Sequence, residues 1–131
     1  MGETVKIRYA RGETGWAEDL GGGQYRLDNI PLTDRPNIDD LVRCRLDDDG
    51  ALAVSRRLQR RYPEKTAVRY ERAEQYRLLR RKVLAAGGKI AGMVGPQGDR
   101  PGIALVAHGS DLDPVAAARE VGVENPEAFE A

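Results

Sequence analysis

The sequence is poor in the residues that most chemistry requires. It holds one cysteine, Cys44, and one histidine, His108. A lone cysteine excludes an internal disulfide and any metal cage made of cysteines alone. A lone histidine removes most histidine relays and metal constellations, so no metal and no cofactor is expected. Aromatic residues are scarce too: one Trp, five Tyr and one Phe. Net charge is absent, with 21 Lys plus Arg against 21 Asp plus Glu. That balance argues against a polycation of the histone type and equally against an acidic solvating tail. No apolar run approaches the roughly 20 residues of a membrane span, so no membrane partner is expected. The first residues, Met1 to Lys6, carry no apolar signal segment, and the expected location is cytoplasmic.

What is present is enough to fold. The chain has 131 residues, close to the usual size of one domain. Leu, Ile, Val and Phe together number 28. That is just above the level of disordered chains, and the high net charge typical of disorder is missing. A modest aliphatic core follows.

Two rhythms divide the sequence. Val5, Ile7 and Tyr9 alternate with Lys6 and Arg8, as on a half-buried strand. Trp16 to Leu20 and Gln24 to Asp28 flank Gly21-Gly22-Gly23, a hairpin turn needing positive φ. After a loop bounded by Pro31 and Pro36, Leu41 to Leu46 alternates again. Its Val42, Cys44 and Leu46 share one face and Arg43 and Arg45 the other, which reads Cys44 as a small core residue. Asp47-Asp48-Asp49-Gly50 is a turn, with Ala51 to Val54 returning as the partner strand. The first part is therefore expected to be a small β-barrel-like sheet over residues 1–64.

From residue 65 the pattern changes. Thr66 to Tyr70 reads as a strand. Ala73 to Ala86 reads as a helix with Tyr76, Leu79, Val83 and Ala86 on its buried face, ended by Gly87-Gly88. Lys89 to Val94 and Ile103 to Ala107 read as strands joined by a loop with Pro96, Gly98 and Pro101. Asp113-Pro114 caps a helix that runs to about Val121. Glu127 to Ala131 is left as a last edge strand. This βαββα(β) order is the ferredoxin-like pattern, so the expected fold is α+β, a barrel-like half packed on a ferredoxin-like half over 65–131. Each half is small enough that it is expected to need the other's surface.

Charge is neutral overall but not locally. Residues 1–55 and 83–131 each carry a balance of −4, while residues 56–82 carry 11 basic and 3 acidic side chains. Arg56, Arg57, Arg60 and Arg61 leave the first half, and Arg72, Arg77, Arg80, Arg81 and Lys82 decorate the helix. Tyr62, Tyr70 and Tyr76 are interleaved with them. Arg77 and Arg81, four residues apart, repel one another on a helix, which a purely structural helix gains nothing from.

The stretch from Trp16 to Tyr70 resembles an uncharacterised bacterial family, domain of unknown function 4265. The resemblance rests on Trp16 before a glycine turn, Tyr25, Asn29-Ile30-Pro31, Asp40-Leu41-Val42, an acidic turn ending at Gly50, and Val68-Arg69-Tyr70. The helix ending at Gly87-Gly88 fits that family's second half. Two positions depart: Asp39 stands where glycine is expected, and Leu32 where an aromatic is more usual after the proline. The resemblance implies the two-part fold and brings no activity with it.

Candidate sites are few. His108 with Ser110 and Asp111 is the material for a small hydrolase, against a bland reading as a strand-end residue beside the next helix cap. No residue is assigned as catalytic. The three aspartates before Gly50 are turn chemistry rather than cation ligands. Trp16 is expected to anchor the first core, with a ligand groove formed by Trp16, Tyr25 and Asn29 as the alternative. The arginines point to a partner. The expected function is a cytoplasmic binding or regulatory module, a non-enzyme in preference to an enzyme, whose contact residues are Arg56, Arg57, Arg60, Arg61, Arg72, Arg77, Arg80 and Arg81. An acidic protein is the leading partner and RNA or single-stranded DNA the alternative. The oligomeric state is left open.

Overall fold

Alternation explains the first sheet. In the computed structural model, which describes residues 2–32, 34–94 and 102–127, β1 (Thr4–Arg8), β2 (Thr14–Gly21), β3 (Gln24–Leu27), β4 (Leu41–Leu46) and β5 (Leu52–Gln59) pair in sequence order. The neighbouring pairs are antiparallel, and the sheet closes on itself through one parallel rung, Arg8↔Ala53. Gly21, Gly22 and Gly23 all have positive φ, at 86°, 65° and 78°, as the hairpin between β2 and β3 demands. Inward positions supply the core: Ile7, Tyr9, Ala17, Leu27, Val42 and Cys44. Burial pushes the Cys44 thiol up to about 11, so it behaves as an inert core residue.

Three expectations fail here. Trp16 is 50% exposed, because β2 turns Ala17 inward and its neighbour must then face out. Leu46 is 71% exposed: it pairs with Leu52 on the last rung before the solvent-exposed acidic turn. And β5 does not stop at Val54 but runs to Gln59, so Arg56 and Arg57 belong to the sheet rather than leaving it. Register shifts between Leu41 and Val42, and between Arg43 and Cys44, break the alternation, which is why Ser55, Arg56 and Arg57 are exposed in succession.

The second unit carries both helices of the described residues. The boundary between the two units falls between Tyr62 and Pro63, and β6 already pairs at Glu64↔His108. β6 (Glu64–Tyr70), β7 (Lys89–Val94) and β8 (Gly102–His108) form an antiparallel sheet in the order β6-β8-β7. On the outer edge of β6, Glu127 bridges Val68, and the Arg69 N–H donates to Pro126 O at 2.7 Å. The rest of the expected edge strand, and the loop with Pro96, Gly98 and Pro101, lie outside the described residues.

Helix α1 (Ala73–Ala85) buries Gln75, Leu79 and Val83. Gln75 does the work of a cap: its Oε1 accepts from the N–H groups of Glu71 and Arg72, and its Nε2 donates to Gly122 O at 3.1 Å. Ala86, expected on the buried face, is exposed because the helix ends there in left-handed Gly87 (φ 81°). Gly88 is required for a different reason, since a Cβ there would lie 2.6 Å from Ala107 O. Helix α2 (Pro114–Glu120) is capped by Asp113, whose carboxylate accepts from Val115 and Ala116 N–H. Val68, Leu79, Val83, Val106 and Ala118 are fully buried between sheet and helices. The architecture is mixed α+β, mostly sheet.

Candidate functional site

The β4–β5 hairpin carries two kinds of arginine site. At its turn end, the Asp47 N–H donates to Ala51 O and the Gly50 N–H to Asp47 O. The Ala51 N–H donates to both the Asp47 and Asp49 carboxylates at 3.1 Å. Arg8 donates to Asp49 at 2.9 and 2.7 Å and lies 3.4 Å from Asp47. The Asp47 carboxyl, the Arg8 guanidinium and the Ala51 N–H together hold Asp49 well below the usual carboxylate range. Asp47 and Asp49 are thus turn residues, as the sequence predicts, and they also form ion pairs with Arg8, which it does not.

Half-way along the same hairpin the arrangement inverts. Arg43 stands directly opposite Arg56, and on its other side Arg43 pairs with Gln24. Both arginines are exposed, because Val42 and Cys44 take the inward positions. Arg43 donates one bond, to Gly22 O at 3.3 Å. Among the described residues no carboxylate forms an ion pair with Arg43, Arg45, Arg56 or Arg57.

Behind this face lies a buried carboxylate. Asp40 is fully buried and accepts from the Asn37 N–H at 2.9 Å and the Arg61 N–H at 3.4 Å. Burial raises its pKa, and those N–H groups with the nearby charges of Arg57 and Arg60 pull it partly back. Arg61 lies over the Tyr62 ring at 4.9 Å, a cation–π contact. Arg57, Arg60 and Arg61 therefore have structural neighbours inside their own unit, and Arg56 of this group is the freest.

In the second unit, Arg72 is the N-cap of α1, with extended backbone. Arg77, Arg80 and Arg81 are exposed at three- and four-residue spacing, and none has an ion pair among the described residues. Lys82, by contrast, donates to Glu120 at 2.7 Å. Leu78 (37% exposed) and Leu84 (44%) lie among these arginines. The predicted arginines thus form two groups, Arg56 to Arg61 in one unit and Arg72 to Arg81 in the other.

The interleaved tyrosines do not serve as stacking faces. Tyr62 and Tyr70 are 6% and 4% exposed, and the half-buried Tyr76 packs on Tyr70 with ring centroids 5.3 Å apart. Tyr70 and Tyr76 are core residues whose aromatic faces are spent inside the fold.

The groove reading for Trp16, Tyr25 and Asn29 is not assembled either. Asn29 Oδ1 accepts from the Trp16 N–H, but Tyr25 packs against the first core. A cavity of about 530 Å³ in this unit opens elsewhere, at the β1–β5 seam, lined among others by Val5, Ile7, Ala51 and Leu52. His108 is 5% exposed. Its Nδ1 donates to Gly109 O and its Nε2 pairs with the Thr66 hydroxyl, both at 2.8 Å, so neither nitrogen is turned to Ser110 or Asp111. A second cavity, about 470 Å³, lies between the end of α1 and the start of α2, and Asp111 reaches it without His108.

Sequence reasoning missed Arg43, because its charge was counted within an acidic segment. The register set by the acidic turn would place Ser55 opposite Arg43, and it is the shift between Arg43 and Cys44 that brings Arg56 there instead.

Neither a family model nor a curated protein matches the chain. Among solved structures, the chain is similar to a hypothetical protein from Neisseria gonorrhoeae, at 10% identity and a TM-score of 0.49, covering 94% of this chain and 90% of that one.

Proposed function

We propose that this chain is a non-enzymatic binding or regulatory module of the cytoplasm that contacts an acidic protein partner through its exposed arginines. The observation that carries the reading is the set of exposed arginines with no ion pair among the described residues: Arg43, Arg45 and Arg56 on one unit, Arg77, Arg80 and Arg81 on the other. The chain has as many acidic as basic side chains, yet among the described residues the ion pairs of Asp47, Asp49, Glu18, Glu120 and Glu127 go to Arg8, Arg26, Lys82 and Arg119. Arginine offers carboxylates a two-pronged donor at modest desolvation cost, which suits a contact surface. An acidic protein is favoured over single-stranded nucleic acid because Tyr62 and Tyr70 are buried and the half-buried Tyr76 packs on Tyr70, while base binding draws on open aromatic faces. Leu78 and Leu84 add apolar area that a protein partner can cover.

The finer fold reading belongs to the same proposal. The ring of five strands supports a small barrel, and the order β6-β8-β7 with Glu127 on the free edge of β6 supports a ferredoxin-like second unit. The resemblance to domain of unknown function 4265 stays within this proposal, with Asp39 as a departure from it. It stands where that family is expected to have glycine, and its φ is 63°, a conformation glycine favours.

The test is fluorescence anisotropy with a labelled glutamate-rich peptide and a labelled single-stranded RNA, each at two salt concentrations. Saturable peptide binding that weakens with salt and is reduced in Arg77→Ala/Arg80→Ala supports the reading. RNA binding with a log–log salt slope of about −0.7 per phosphate contacted, and no peptide binding, replaces it with nucleic-acid binding.

A further inference from the structure

Two arginines directly opposite each other on neighbouring strands destabilise a sheet, because their charges meet at the closest cross-strand approach. Arg43 and Arg56 hold that position, on an outer face where neutral residues would serve the fold better. The same sheet shows how such charges are otherwise handled. Arg26 is paired with Glu18 across β2 and β3, and Arg8 with Asp47 and Asp49 at the turn. Arg45 and Arg57 on the same two strands also lack an acid among the described residues, but they face Ala53 and Val42, whereas Arg43 and Arg56 face each other. A local arrangement that works against the fold, with neighbours that obey the rule, marks a site kept for something outside the fold.

The geometry suits a carboxylate. Facing positions on adjacent strands bring two guanidinium groups to one side of the sheet, and each is a planar donor fork. Arg43 is anchored by its bond to Gly22 O, which orders its side chain before any partner arrives. Gln24, next in the row on β3, adds a neutral amide beside the two charges. Among the described residues no exposed aromatic side chain borders them. Trp16, the exposed aromatic of this unit, lies five residues along β2 from Gly21, which pairs with Gln24. A row of donors without a stacking face recognises acidic side chains rather than bases.

We propose that Arg43 and Arg56, with Gln24, form a two-arginine clamp that grips the carboxylates of an acidic partner protein on the outer face of the β4–β5 hairpin. This rests on the binding reading above and adds to it a location and a mode of grip, in which Arg43, from outside the basic stretch of the sequence, acts jointly with Arg56.

The experiment uses the full chain and a labelled peptide of alternating glutamate and serine, with labelled oligouridylate beside it. Arg43→Gln, Arg56→Gln, the double variant and Arg26→Gln are compared at low salt. Arg26→Gln removes the same charge from the same sheet but from an arginine already paired. Loss of about tenfold in peptide affinity in either clamp variant is expected, with the double variant losing little more than one single, since each arginine grips only with the other present. Arg26→Gln should change affinity less than about twofold. Both clamp variants should unfold at or above the wild-type temperature, which separates lost contact from lost fold. Peptide binding that responds equally to all three single substitutions overturns the clamp and leaves the binding module standing. No peptide binding by the wild type overturns the binding reading itself. Oligouridylate binding that depends on Arg43 and Arg56, without peptide binding, overturns the acidic protein as occupant.

Discussion

The two units bury their chains by different means. The second lays α1 and α2 on a three-stranded sheet, so its interior is aliphatic volume: Leu79, Val83, Val68, Val106 and Ala118 at zero exposure. The first has no helix in its described residues, and the long connection between β3 and β4 is held by polar groups. Asp34, Asn37 and Asp40 are all buried there, with Arg11 N–H donating to Asp34, and Asn37 and Arg61 N–H donating to Asp40. One unit should therefore respond to lost volume and the other to lost hydrogen bonds. The sequence supplies separate reporters: Trp16 is the only tryptophan and lies in the first unit, while both described helices lie in the second.

The largest expected effect breaks the volume side. Leu79→Ala should cost about 3 kcal/mol, from lost transfer free energy plus a cavity that packed neighbours cannot fully close. The helical circular dichroism transition should move to lower denaturant while the Trp16 fluorescence transition stays. If both move together, the units unfold as one and the contrast between them is not thermodynamic.

The polar side breaks at Asp40. Asp40→Ala leaves the Asn37 and Arg61 N–H groups without their acceptor, one of them deep in the first unit, for about 2 kcal/mol. Here the Trp16 transition should move and the helical signal should stay. A loss below about 0.5 kcal/mol would show that water takes over both donors and that the loop is not held by this carboxylate.

How far the sequence could be read follows the same division. Alternation placed every strand of the first unit and the β6-α1-β7-β8-α2 order of the second, because period and turn residues are local signals. Cys44 and Val42 were legible as core for the same reason. Trp16 was not: alternation assigns a face but not which face is inside, and a lone tryptophan invites the wrong choice. The second half of β5 was hidden by its bulges, which destroy the period that reveals a strand. Asp40 and its loop were hidden because a buried carboxylate and a solvated one look alike in sequence. Arg43 was invisible as a site because its partner, Arg56, is set by register rather than by proximity along the chain.

A smaller effect sharpens the polar loop at the residue before Asp40. Asp39 adopts φ 63°, where a Cβ crowds the backbone, and its N–H donates to Leu27 O at 2.8 Å. Asp39→Gly should exceed Asp39→Ala in stability by about 1 kcal/mol, read on the Trp16 transition. Neither substitution touches the backbone bond to Leu27. Equal stability of the two would mean that the left-handed conformation is not strained here.

The smallest effect concerns pH, where two carboxylates of the first unit act with opposite signs. Asp40 has its pKa raised in the folded state, chiefly by burial, so its contribution to stability falls as pH rises from about 4 through the raised value. Asp49 has its pKa lowered, by Asp47, Arg8 and the Ala51 N–H, so its contribution is present above about pH 4 and is lost as pH falls through the lowered value. Asp49→Asn isolates the second, because Asp40 is unchanged in both proteins. The difference between wild type and variant, read on the Trp16 transition, should be constant near neutrality and shrink as the pH is taken below about 4. Both carboxylate and guanidinium are solvent-exposed, so added salt should shrink it as well. A difference near zero already at neutral pH would mean that Asp49 serves the turn by accepting from the Ala51 N–H, which asparagine also does, and not through its charge on Arg8.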